Sequence, residues 1–305
     1  MSHHGAVMEQ LRWGNRTDDP FDHVVNVASV PQRSPFRYPG GKTWLVPEIR
    51  AWLRSLPIKP KILVEPFAGG GIASLTSVCE GLVEKAVLVE LDPHVAAAWR
   101  LILEDEAWLT EHILAFKVDR DSVLALLAKE PEDWREKGFQ AIVRNRVQRG
   151  GIMAPGASLM KNGENGRGIS SRWYPQTIAR RIHEIHRRRD RITFIEGDGL
   201  EAISAHAHDP KVAFFVDPPY TAGGKKAGRR LYAHNDVNHE ALFASLAQVA
   251  GKTLLTYDEA PEVLALAIKY GFQTQRVPMK NTHHAKVHEL LLTCSGGFVN
   301  QEAFA

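Results

Sequence analysis

Short apolar runs separated by helix-patterned stretches recur from about residue 61 to residue 293, and this alternation constrains the fold more than any other feature. The runs are residues 61–65 (KILVE), 86–90 (AVLVE), 192–195 (ITFI), 212–216 (VAFFV), 253–256 (TLLT), 272–277 and 287–293 (VHELLLT). Helical periodicity falls between them, as at 94–103, 239–249 and 261–270. Apolar strands joined through helices imply an α/β fold with a mostly parallel sheet covered on both faces. Only a short polar connection, residues 278–286, separates the last two runs, so they predict an antiparallel hairpin at one edge. Residues 104–189 break the alternation: they are helical first, then rich in Gly, Asn and Arg between residues 144 and 172. The expected organisation is a loose arm at 1–33, a catalytic domain at 34–103 and 190–305, and an inserted, mainly helical domain at 104–189.

Composition narrows the class of protein. With 44% hydrophobic and 24% charged residues, the chain has enough apolar material for a sizeable core. Its two cysteines, Cys79 and Cys294, make neither a disulfide framework nor a Cys-rich zinc site, which fits a reducing cytoplasmic compartment. No signal peptide is expected at the N-terminus, and no apolar stretch approaches the roughly 18 residues of a membrane span. The net charge of +3 is unevenly spread: residues 134–191 hold fourteen Lys and Arg against four acids, so the remainder of the chain is acidic. A basic island in an acidic chain suits a polyanion-binding surface, the alternative being a solvated helix face that carries Arg180, Arg181, Arg187, Arg188 and Arg189.

Three motifs carry chemistry. In residues 62–75 (ILVEPFAGGGIASL) a buried strand runs into Gly69, Gly70 and Gly71, and a helix follows. Glycines there let backbone approach a ligand without Cβ atoms in the way, at the carboxyl end of a strand where doubly wound sheets bind ligands. Residues 88–93 (LVELDP) place Glu90 at the end of the second strand, where an acid accepts hydrogen bonds from ribose hydroxyls. Asp92 either assists it or caps the next helix. These two motifs suit a nucleoside-containing ligand without distinguishing a dinucleotide from S-adenosylmethionine. The third, residues 214–220 (FFVDPPY), ends an apolar strand in Asp217, Pro218, Pro219 and Tyr220. The prolines remove backbone donors and stiffen the turn. Asp217 and the Pro218 carbonyl can then both accept from one NH2 group. An exocyclic amine of adenine is a poor nucleophile because its lone pair is delocalised into the ring. Two acceptors on its hydrogens favour a pyramidal nitrogen able to attack a sulfonium methyl, and Tyr220 offers an aromatic face for an extruded base.

Taken in order, FRYPGGK at residues 36–42, VEPFAGGG at 64–71 and DPPY at 217–220 resemble the DNA adenine methyltransferases of the Dam-like class, over about residues 35 to 295. The resemblance implies a Rossmann-like methyltransferase sheet, an inserted target-recognition domain, S-adenosylmethionine as cofactor and methylation of adenine N6 in double-stranded DNA. It places Tyr38 and Lys42 against the methionine end of the cofactor, with Gly40 in the same motif. Glu65, Phe67, Ala68, Gly69 and Gly70 border the cofactor, Glu90 holds the ribose, Asp198 sits near the cofactor adenine, and Asp217 serves both cofactor site and target base. This chain departs from the pattern in the Tyr38–Pro39 pair and in Glu65 and Glu90, which stand where aspartates are common.

Further residues are nucleic-acid candidates. Lys225, Lys226, Arg229 and Arg230 follow DPPY in a glycine-containing stretch suited to holding phosphates. Arg144, Arg146 and Arg149 lie in RNRVQRGG, which resembles the recognition-domain turn of the family; the arginines can reach guanine edges or phosphates. Trp173 and Tyr174 stack on bases or belong to the core. His283, His284 and His288 lack accompanying ligands at metal spacing, and methyl transfer from a sulfonium needs no metal, so none is expected. A monomer is expected, with a restriction endonuclease as a candidate partner in a restriction-modification pairing. Rival readings are an RNA adenine or DNA cytosine-N4 methyltransferase, and an inactive DNA-binding protein on the same fold.

Overall fold

The apolar runs become the strands β1 (Ile62–Glu65), β2 (Lys85–Glu90), β3 (Ile192–Glu196), β4 (Val212–Val216), β5 (Lys252–Asp258), β6 (Phe272–Lys280) and β7 (Lys286–Cys294). They belong to a computed structural model that describes residues 25–37, 40–153, 157–161, 166–219, 237–280 and 286–294. One seven-stranded sheet results, in the order β3-β2-β1-β4-β5-β7-β6. The first five of these strands pair in parallel, and β7 runs antiparallel to both β5 and β6. The hairpin expected at the edge is therefore present, with β7 inside the sheet and β6 at the rim. Burial explains the order. Glu289, Leu290, Leu291, Leu292 and Thr293 of β7 are buried in succession and need cover on both faces, whereas Gln273 and Arg276 of β6 are exposed.

Ten α-helices surround the sheet: α1 (Val46–Ser55), α2 (Ile72–Cys79), α3 (Pro93–Glu104), α4 (Glu106–Ala115), α5 (Arg120–Ala128), α6 (Trp134–Val147), α7 (Pro175–His186), α8 (Gly199–Ala205), α9 (His239–Leu246) and α10 (Pro261–Tyr270), all among the described residues. Successive strand residues point to opposite faces. Leu63, Leu88 and Phe215 join one apolar cluster with α1 to α7, while Val64, Val87 and Phe214 join a second with α8 to α10. The sheet is thus doubly wound. Several helices start where the sequence supplies a capping side chain: Asp92 Oδ1 accepts from the His94 amide at 2.8 Å, and Asp133, Asp198 and Asn238 do the same for α6, α8 and α9. Asp92 therefore fills the capping alternative.

The helices of residues 104–189 lie on α3 and share the first cluster, through Leu109, Ile113, Ile142, Ile178 and Ile182. Gly138 makes the α3–α6 approach possible, because a Cβ there would stand 2.7 Å from the Ala97 carbonyl oxygen. Residues 104–189 thus form a helical layer that shares its core with one face of the sheet. It brings α7 and the turn after α6 over the carboxyl ends of the strands.

Candidate active site

The strand order reverses between β1 and β4, which lie side by side with chain crossing to opposite sides of the sheet. Such a switch point opens a crevice at the strands' carboxyl ends. Here it holds a cavity of about 370 Å³, bordered by the glycine loop, Glu90, Asp198, Lys42 and Asp217.

The glycine loop is braced from below. The Ala68 amide donates to the Val89 carbonyl at 2.9 Å, and Trp99 Nε1 donates to the Gly69 carbonyl at 2.9 Å. Gly71 caps α2 with φ +64°, and a Cβ on it would stand 2.7 Å from Leu88 and 2.8 Å from Trp99. Only glycine fits both the left-handed backbone and that gap. The Glu90 carboxylate accepts from the Gly69 amide at 3.0 Å and from the Asp92 amide at 3.0 Å. Two such bonds fix its plane and leave further lone pairs for hydroxyl donors. Burial, and then the neighbouring Asp92, push its carboxyl up to about 7 despite those bonds.

At the other side of the loop, Glu65 ends β1 and is buried, with its carboxylate accepting from the Ser74 amide at 2.9 Å. It anchors the first turn of α2 from inside the sheet. Burial pushes it up to about 7, with the Ser74 bonds opposing and Asp217 adding to the rise.

Asp217 follows β4 directly and is held from two directions. Lys42 Nζ lies 2.9 Å from its Oδ1, and Thr256 Oγ1 donates to the same oxygen at 2.8 Å. Lys42 is only 2% exposed; it also reaches Glu289 of β7 at 3.6 Å and donates to the Gly40 carbonyl at 2.9 Å. Burial alone would lower the lysine, but Asp217 and Glu289 outweigh it and hold the ammonium above its ordinary range. Glu289 is itself driven up to about 7 by burial, with Lys42 pulling the other way.

The structure gathers Lys42, Glu65, Phe67, Ala68, Gly69, Gly70, Glu90, Asp198, Asp217 and Pro219 around the one cavity. Gly40 contributes its carbonyl to Lys42, and Pro218 is buried behind the turn. Asp198 is exposed, caps α8 through the Leu200 amide at 2.7 Å and borders the cavity as well. Tyr38, Tyr220, Lys225, Lys226, Arg229, Arg230, His283 and His284 lie outside the described residues. Sequence reasoning missed Glu289 and Thr256. Glu289 had a signal: a lone acid inside the apolar run VHELLLT requires a buried partner.

Among the basic candidates, Arg149 is exposed and Arg144 half-buried. Arg146, expected to reach nucleic acid, is 4% exposed and donates to the Pro35 carbonyl. Arg146 thus sits on the inward face of α6, away from the exposed surface that Arg149 occupies. Trp173 packs against Phe116 beside the core, while Tyr174 is exposed. Among the described residues, no group of three or more His, Cys, Asp or Glu side chains is arranged to hold a metal ion, and no helix is long and apolar enough to cross a membrane.

No family model matches the chain, and no curated protein matches it. Solved structures similar to it include the rRNA methyltransferase aviRa of Streptomyces viridochromogenes, at 15% identity and TM-score 0.39 over 92% of this chain and 93% of that one. Others are the precorrin-6y C5,15-methyltransferase of Geobacter metallireducens GS-15 (8%, TM-score 0.37, 89% and 93%) and an rRNA methylase of Streptococcus thermophilus (10%, TM-score 0.36, 81% and 94%).

Proposed function

We propose that this protein transfers a methyl group from S-adenosylmethionine to N6 of an adenine in double-stranded DNA. The observation that carries the reading is Asp217: it stands at the carboxyl end of β4, pinned by Lys42 and Thr256, in one cavity with the glycine loop and Glu90. The cavity suits the cofactor in size and chemistry. Glu65, Glu90, Asp198 and Asp217 border it, an acidic lining that suits a ligand carrying a sulfonium, and Phe67 and Leu91 give apolar walls for a nucleoside.

Bound there, S-adenosylmethionine supplies a methyl group on positively charged sulfur, which is displaced directly. Glu90, already fixed by two amides, accepts from the ribose hydroxyls. Asp217 and the Pro218 carbonyl accept the two amino hydrogens of the target adenine and turn its lone pair outward. A nitrogen that gained the methyl group would become acidic, and Asp217 would be placed to take the proton it sheds. Lys42 and Thr256 hold Asp217 in orientation and take no part in bond making. The restriction to adenine in duplex DNA rests on the ordered trio of motifs and on the basic insertion above the cavity.

The test is transfer of labelled methyl groups to unmethylated duplex DNA, with digested nucleosides separated afterwards. Label in N6-methyladenine, lost in Asp217→Ala while DNA binding persists, is the expected result. Full activity in that variant overturns the mechanism. Label in cytosine or in RNA overturns the substrate, and cofactor binding without any transfer favours an inactive binding protein.

A further inference from the structure

The strongest unexplained feature is a set of arginines with no acid beside them among the described residues. Arg37 precedes the first glycine motif, Arg146 lies on α6, and Arg181 on α7; Arg37 and Arg181 border the cavity, and Arg146 stands behind them. The turn at residues 148–151 is drawn onto the same segment: Asn145 Oδ1 accepts from the Arg37 amide at 2.7 Å, and Asn145 Nδ2 donates to the carbonyls of Arg37 at 2.8 Å and Gly151 at 3.0 Å.

Part of what these arginines do is structural. Arg181 Nη1 donates to the Ser34 carbonyl at 3.0 Å, and Arg146 Nη2 donates to the Pro35 carbonyl, so the segment before Lys42 is strapped to both helices. Strapping accounts for one donor on each side chain. It does not account for the charge, since a neutral amide would serve. Among the described residues no carboxylate lies within ion-pair distance of Arg37, Arg146 or Arg181. Arg37 Nη1, Arg146 Nε and Arg181 Nε are buried without a hydrogen-bond partner among those residues. Burial, then the positive charge of neighbouring arginines, lowers Arg146, and Arg172 adds to the field on both Arg37 and Arg146. Arg146 is buried and Arg37 and Arg181 are half-buried, and charge so withdrawn from water is costly unless something of opposite sign completes it.

We infer that Arg37 and Arg181, backed by Arg146, form an anion subsite at one end of the cavity that takes a backbone phosphate of the strand carrying the target base. This rests on the proposed action on nucleic acid. Guanidinium forks match phosphate oxygens in geometry and keep their charge at all working pH values. A phosphate held here would fix the strand at the cavity that Asp217 also borders, so the subsite would position the substrate and leave the chemistry to Asp217.

Two arms test the inference. In the first, inorganic pyrophosphate is titrated against the cofactor-free protein and melting is followed. Wild type is expected to be stabilised at millimolar pyrophosphate, Arg37→Gln and Arg181→Gln less so, and Arg181→Lys nearly as wild type, which separates lost charge from lost folding. Absence of stabilisation in wild type, or equal stabilisation in the Gln variants, overturns the subsite. In the second, duplex DNA and single-stranded RNA are titrated over a salt series, with S-adenosylhomocysteine affinity measured alongside. Each Gln variant is expected to weaken binding of the nucleic-acid substrate about tenfold to a hundredfold and to reduce the slope of log affinity against log salt by about 1. An unchanged slope, or lost S-adenosylhomocysteine affinity in its place, overturns the phosphate assignment and makes the cofactor's carboxylate the anion. If the first arm succeeds and wild type methylates no DNA, the proposed substrate fails while the anion subsite stands.

Discussion

Replacing Glu65 by glutamine should change how stability depends on pH more than it changes stability itself. Glu65 is 3% exposed, and its carboxyl rises from about 4.5 to about 7 on folding, chiefly through burial. A carboxyl whose pKa is raised by folding favours the native state most below the unfolded value, where it is protonated in both states. That advantage is lost as pH rises through the folded value, because the buried group must then ionise. The gap between about 4.5 and about 7 corresponds to about 3 kcal/mol. Glu65→Gln is nearly isosteric, neutral throughout, and keeps a carbonyl to accept the Ser74 amide. The unfolding free energy of wild type should therefore fall relative to the variant by about 3 kcal/mol, most of it between roughly pH 4 and pH 7.5. Other titrating groups, such as Glu289 and His239, occur in both proteins and cancel in the difference. Urea unfolding of both proteins at several pH values gives the comparison directly. Parallel profiles, or a wild type that gains on the variant as pH rises, would refute the reasoning that Glu65 is a buried, desolvated carboxyl.

Two further outcomes follow from the same geometry. Gly71→Ala must place a Cβ 2.7 Å from Leu88 at φ +64°, whereas Gly81→Ala at φ +67° meets nothing within 4 Å. Urea unfolding should show a loss of about 2–4 kcal/mol for the first and about 1 kcal/mol for the second, and equal losses would remove the packing argument. Lys42→Met leaves Asp217 and Glu289 without their shared cation, so it should slow methyl transfer and cost about 3–5 kcal/mol at pH 8. The loss should shrink at pH 6, where Glu289 can take up a proton, and adding Glu289→Gln should recover part of it; a pH-independent, additive loss would separate the three groups.

Most of the sheet was legible because buried strands must be apolar, and residues 62–65, 85–90 and 212–216 carry little else. The place of β7 was not, because a short connection announces a hairpin without saying which of its strands pairs inward. The apolar succession Leu290, Leu291, Leu292 held that information, as two-sided burial. The glycine loop, Glu90 and Asp217 were legible from local motifs and lie together. Glu289 was not, since it reaches Lys42 only once β7 lies against β5. Charge counting did not reveal the burial of Arg146 for a related reason: it sums guanidiniums along the chain and is blind to which face of α6 each occupies. Arg149, three residues on, left the helix and stayed exposed.

The position of Lys42 bears on what Asp217 can do. Lys42 and Thr256 both donate to Oδ1 of Asp217, so the carboxylate is fixed through one oxygen and the direction of the other follows. Glu65 and Glu289, the nearest buried acids, are the groups pushed upward, and Asp217 contributes to both rises. An acceptor for amine hydrogens has to be ionised and correctly aimed before the base arrives. Lys42, drawn from a motif 175 residues earlier in the chain, holds that aim without entering the reaction. The first motif is then best understood as the support of the third. Its loss should lower kcat through misorientation of Asp217 before it weakens binding of the base. Single-turnover rates and base-analogue affinities of Lys42→Met, measured together, would contradict that order if affinity fell and the rate did not.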